Sequence, residues 1–122
     1  MHTILVVEDE TLIRLYVADS LREWGFNVVE ATDGAKAMQI LETNDTVHLV
    51  FTDITLPGQP DGLGLAEWIR QRRPDLPLIL TSGKVTVEAA STASSAPFFP
   101  KPCDYAEVAR TMEELLAKRC GA

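Results

Sequence analysis

The chain has 122 residues, room for one domain and for a core that needs no disulfide or structural metal. Its 18 acidic and 11 basic side chains leave a formal net charge of -7, which argues against direct nucleic-acid binding and against attachment to anionic membranes. Cys103 and Cys120 have neither zinc-ligand nor redox spacing, and the first apolar run, Thr3 to Val7, is too short for a signal peptide or a membrane span. The expectation is a cytoplasmic protein with reduced thiols.

In chain order, short β-branched runs alternate with longer stretches of helical period. Thr3 to Val7 is uniformly apolar, as a strand buried on both faces should be. After Glu8-Asp9-Glu10, the apolar residues Ile13, Val17, Leu21 and Trp24 recur at helical spacing up to Gly25. Phe26 to Glu30 reads as a second strand, and Asp33-Gly34 opens a helix with Ala37, Met38 and Leu41 inward, ending near Asn44. His48 to Thr52 is a third apolar strand running into Asp53. The loop composition of residues 56–62 then leads to a helix marked by Leu65, Trp68 and Ile69, stopped before Pro74. Pro77 to Leu80 predicts a fourth strand ending at Thr81-Ser82-Gly83, and Phe98-Phe99 a short, buried fifth before Lys101-Pro102. Asp104-Tyr105 reads as the cap of a last helix carrying Val108, Met112, Leu115 and Leu116. Residues 85–96 fall where a fourth helix belongs, but their Ser, Thr and Val content predicts a short or irregular element.

Five strands alternating with helices imply βαβ units, hence an α/β fold with a doubly wound parallel sheet and helices on both faces. The whole of 1–122 reads as one domain, with nothing left over for an output module.

Ligands of such sheets bind beyond the carboxyl ends of the strands, where strand order reverses. Glu8-Asp9, Asp53, Thr81 and Lys101 all end strands there. At an effective dielectric of ~20, two carboxylates at 4 Å repel by about 4 kcal/mol. Three together call for a proton or a cation, and Mg²⁺ suits one or two carboxylates plus a phosphate oxygen. Asp53 is placed to act as a nucleophile toward phosphorus, with Lys101 and Thr81 neutralising and hydrogen-bonding the arriving group.

These residues resemble the receiver domain of two-component response regulators, the family typified by CheY. The motifs are the acidic pair after ILVV, FTDITLPGQPDG around Asp53, ILTSG with Thr81 and FFPKP with Lys101. The resemblance covers the whole chain and implies strand order 2-1-3-4-5. It implies Asp53 as phosphoacceptor, with Mg²⁺ (or Mn²⁺) held by Asp9, Asp53 and the Thr55 carbonyl, and by Glu8 through a water. Thr81 and Phe98 would form the switch pair, and the Lys101-Pro102 bond would be cis. A sensor histidine kinase or a histidine phosphotransfer protein would supply the phosphoryl group, docking on helix one around Leu12 and Leu15 and on the loop at Pro102. The product would be a monomer or a weak phosphorylation-dependent dimer that acts as a switch or as a phosphoryl shuttle. It would be a signalling protein that catalyses only its own phosphorylation and dephosphorylation.

Bland readings stand beside these. Asp53 can cap its own turn, Glu8-Asp9-Glu10 can answer a helix dipole, and Met38 and Met112 read as core fillers. His2 and His48 show no metal or catalytic pattern. A haloacid-dehalogenase-type phosphatase wants a second Asp where Thr55 stands, so that reading fails. The surviving alternative is a pseudo-receiver, a protein-binding module without phosphorylation.

Overall fold

The computed structural model describes residues 2–83 and 96–121, with side chains through Lys118. The elements, in chain order, are β1 (Thr3–Val7), α1 (Thr11–Trp24), β2 (Asn27–Ala31), α2 (Gly34–Thr43), β3 (Leu49–Asp53), α3 (Gly62–Arg72), β4 (Leu78–Ser82), β5 (Phe98–Pro100) and α4 (Tyr105–Gly121). The expected irregular element over 85–96 lies, but for Ala96, outside the described residues.

All strand pairs are parallel, as the βαβ alternation requires, and the order is β2-β1-β3-β4-β5, as the resemblance implied. Alternation along the strands divides the core. Ile4, Val6, Leu49, Phe51 and Ile79 meet Val17 and Leu21 of α1 and Val108, Met112 and Leu116 of α4. Leu5, Val7 and Val50 face the other way, toward Ala37 and Leu41 of α2 and Leu65 and Ile69 of α3. Burial on both faces is why β1 and β3 are continuously apolar.

The helix ends follow local chemistry. Gly25 closes α1 at φ 111°, a left-handed conformation that costs glycine little. Asp33 caps α2 by accepting from the Lys36 amide at 2.8 Å, and Asp61 caps α3 by accepting from the Gly64 amide at 2.9 Å. Asp104 accepts from the Ala106 amide at 2.9 Å, the cap expected for the last helix.

Some details differ from the sequence reading. His48 lies just before β3 instead of starting it, and Thr81 and Ser82 belong to β4. β5 is half-buried instead of buried, because it forms the sheet edge and pairs only with β4. His2 and His48 stack edge to face with centroids 5.1 Å apart, and His48 Nδ1 accepts from the Thr3 amide at 2.9 Å. They close the end of the sheet opposite the acidic cluster.

Candidate functional site

The site is assembled by sheet register. Asp53 pairs with Thr81, and Thr81 with Phe99, so the carboxyl ends of β3, β4 and β5 stand side by side. The ladder continues past the strand ends: the Ile54 amide donates to the Thr81 carbonyl at 2.8 Å, and the Lys101 amide to Ser82 at 3.0 Å. The Glu8 amide donates to the Ala31 carbonyl at 3.1 Å. Backbone bonds therefore fix the starting points of Glu8, Asp53 and Lys101 before any side-chain contact is made.

Carboxylate oxygens of Glu8, Asp9 and Asp53 lie within 4.8 Å of one another. Glu8 and Asp53 are buried and Asp9 is exposed. The Lys101 ammonium enters this cluster, donating to Asp53 Oδ2 at 2.8 Å and making a short ion pair with Glu8 Oε1. Burial raises the Glu8 carboxyl above the usual carboxylate range; the Lys101 hydrogen bond opposes that shift and the nearby Asp53 charge adds to it. Burial works against the Lys101 ammonium as well, yet its hydrogen bonds to Asp53 and Glu8 outweigh that and hold it above the ordinary lysine value. One ammonium against three carboxylates leaves the pocket short of positive charge. An all-oxygen donor set of this size fits a hard divalent cation.

Asp53 Oδ1 also accepts from the Thr55 amide at 3.1 Å, so the turn-capping reading holds as well. This bond occupies one oxygen and leaves Oδ2 facing Lys101. The loop behind Asp53 is pinned by the Gly62 amide, which donates to Ile54 at 2.8 Å. A Cβ on Gly62 would lie 2.0 Å from the Asp53 carbonyl oxygen, so only glycine permits α3 to start against the back of the strand.

The Thr81 hydroxyl donates to the Phe99 carbonyl at 2.6 Å, turned toward β5. Phe98 is half-buried beside Ile54, Ala66 and Leu80. The Lys101-Pro102 bond is cis, as the resemblance implied, and so is Gln59-Pro60, which it did not. Two participants were missed. Buried Ser82 places its hydroxyl 3.4 Å from that of Thr55, and Arg14 donates to the Glu8 carbonyl. Ser82 was visible as the hydroxyl next to Thr81 in ILTSG; Arg14 had no local signal, because its carboxylate partner Glu30 lies on β2 and its other contact is to a backbone carbonyl.

Beside Lys101, a groove of about 950 Å³ runs between α1 and the start of α4, past Leu12, Tyr16, Trp24, Pro102, Cys103 and Tyr105. Leu12 is 83% exposed. No helix among the described residues is long and apolar enough to cross a membrane.

A doubly wound parallel sheet with an acidic cluster and a lysine beyond the carboxyl ends of its strands defines a class of α/β domains that bind ligands at that edge. Within that class, the chain belongs to the response regulator receiver domain family of two-component systems, whose family model matches residues 4–113. It is 41% identical over 91 residues to an NtrX-like response regulator of Rickettsia felis, covering 74% of this chain and 19% of that protein. It is 32% identical over 121 residues to the sensor kinase CckA of Brucella abortus, covering 96% of this chain and 13% of that one. The chain thus spans a fifth or less of the length of these two relatives. The response regulator TrrA of Thermotoga maritima, solved in complex with Mg²⁺-BeF, superimposes with a TM-score of 0.84 at 29% identity, covering 94% of this chain and 99% of that one.

Proposed function

We propose that residues 1–122 act as one phosphoacceptor receiver unit in which Asp53 takes a phosphoryl group from a phosphohistidine, with Mg²⁺ bound by the acidic cluster. The observation that carries this reading is the meeting of Asp53 with Lys101 at 2.8 Å inside a three-carboxylate pocket. The Mg²⁺-BeF complex of TrrA supports the same assignment by likeness. In the reaction an Asp53 carboxylate oxygen bonds to phosphorus, the P–N bond breaks, and the imidazole leaves with the electron pair. Asp9, Asp53 and the Thr55 carbonyl would hold the ion directly and Glu8 through a water. Bound there, the ion supplies charge neutralisation for the phosphoryl oxygens.

Lys101 then exchanges its contact with Asp53 for the new phosphoryl oxygens. Thr81 turns its hydroxyl from the Phe99 carbonyl toward the same group, and Phe98 follows inward. The groove between α1 and the start of α4 is the docking face for a histidine kinase or a histidine phosphotransfer protein, since it opens next to Lys101 and presents Leu12 and Tyr16. The protein catalyses only its own phosphorylation and dephosphorylation, binds no nucleic acid or membrane itself, and works in the cytoplasm as a monomer or a weak phosphorylation-dependent dimer.

The test is intact mass after incubation with Mg²⁺ and a small-molecule phosphodonor. The expected result is a gain of one phosphoryl group, abolished by Asp53→Asn and by chelating the metal. A wild-type protein that binds the metal but neither gains the group nor binds beryllofluoride would be a pseudo-receiver.

A further inference from the structure

The backbone of the acidic turn between β1 and α1 is held by the Arg14 side chain. Arg14 donates from Nη1 to the Glu8 carbonyl at 3.1 Å and from Nε to Glu30 Oε1 at 3.2 Å. The Arg14 side chain is 13% exposed and that of Glu30 24%, so the bridge is largely withdrawn from water. Glu30 is steadied in turn by Arg22, whose Nη2 reaches Glu30 Oε2 at 3.3 Å. Asp9, by contrast, is exposed, and among the described residues its carboxylate has no hydrogen-bond or ion-pair partner. Backbone therefore sets the Cβ position from which that carboxylate reaches the cluster.

The Glu8 carbonyl and the Asp9 amide are two ends of one planar peptide. With the Glu8 amide bonded to Ala31 and its carbonyl bonded to Arg14, Glu8 is clamped on both sides, and the plane that carries Asp9 cannot rotate freely. We propose that Arg14 is a positioning residue for the metal site: its bridge from Glu30 to the Glu8 carbonyl aims the Asp9 carboxylate at the ion. This rests on the reading of Glu8, Asp9 and Asp53 as the ligand set.

The sign of the effect separates this role from its rivals. If Arg14 acted only as a nearby positive charge, removing it would tighten cation binding. If it acted only as a strut for the fold, its loss would lower the melting temperature and leave the affinity of the folded protein unchanged. Positioning alone predicts weaker binding, and outer partners of metal ligands typically contribute 10–100-fold in affinity.

The experiment is calorimetric titration of Mg²⁺ into wild type, Arg14→Ala, Arg14→Lys, Glu30→Gln and the Arg14→Ala/Glu30→Gln double variant. Melting curves without metal set a temperature at which each is folded. Arg14→Ala is expected to raise the Mg²⁺ Kd roughly tenfold. Arg14→Lys keeps the charge but lacks the two-pronged donor, so it does not restore affinity. The double variant should be no weaker than Arg14→Ala, because Glu30 acts on the turn only through Arg14. Unchanged or tighter binding in folded Arg14→Ala overturns the proposal. Should that variant fail to fold, Arg14→Lys and Glu30→Gln give the same readout from either end of the bridge. A wild type that binds no Mg²⁺ would overturn the ligand-set reading itself, a result distinct from unchanged affinity in a variant.

Discussion

Asp53 and Lys101 touch, yet they come from strands of opposite character. β3 is buried at all five residues and is paired on both sides. β5 has three half-buried or exposed residues, lies at the sheet edge and is paired on one side only. Moving Asp53 would mean dismantling both halves of the core, whereas shifting β5 disturbs little beyond Phe98, Phe99 and their neighbours. A charge change at the site therefore meets least resistance toward β5. The pocket thus joins a rigidly held carboxylate to an ammonium carried by the more yielding edge of the sheet.

Three substitutions test the contrast by size of effect. Phe51→Ala, in the middle of β3 at 2% exposure, should cost about 4 kcal/mol in urea unfolding. Gly62→Ala should cost about 3 kcal/mol, since its Cβ would meet backbone atoms, the Asp53 carbonyl oxygen at 2.0 Å and Ile54 Cα at 2.5 Å. Phe98→Ala should cost only about 1 kcal/mol, because much of that ring is already in water. Equal losses for Phe51→Ala and Phe98→Ala would break the comparison.

The smallest effect lies at the head of α4. Burial, then the neighbouring Cys103, raises the Tyr105 phenol above its ordinary value of 10.0. A raised folded pKa means that folding favours the neutral phenol, so its contribution is complete below pH 10.0 and is lost as pH climbs beyond it. Lys101, also raised, acts in the same direction. Unfolding midpoints should therefore fall at alkaline pH, and Tyr105→Phe should remove part of that fall. Phenolate absorbance should show one tyrosine titrating late in the wild type and not in the variant.

Much of this was legible in the residues. Uniformly apolar runs at Thr3–Val7 and through Phe51 announce strands covered on both faces, and parallel pairing then places their last residues at one edge. Glu8, Asp9, Asp53, Thr81 and Lys101 could be gathered from that topology alone. What stayed hidden depends on contacts across the chain. The Lys101 pairing with Glu8 joins residues 93 positions apart, and Arg14 finds Glu30 only because α1 lies over β2. The exposed edge of β5 was misjudged because two phenylalanines in a row read as core, while sheet position, not hydrophobicity, sets their burial. Tyr16 and Tyr105, whose rings pack 5.6 Å apart, are likewise neighbours only in space.

The register of β1 against β3 has a kinetic consequence. Thr3 and His48 are bonded neighbours although 45 residues separate them, so the two central strands cannot meet until a long loop has closed. Non-local pairing of this kind slows folding, because chain entropy is lost before contacts compensate for it. The acidic pocket spans that same pairing and does not exist in the open chain. Any ion or phosphoryl mimic that needs the pocket therefore binds only after the slow step. It should lengthen the lifetime of the folded protein without shortening the time taken to reach it.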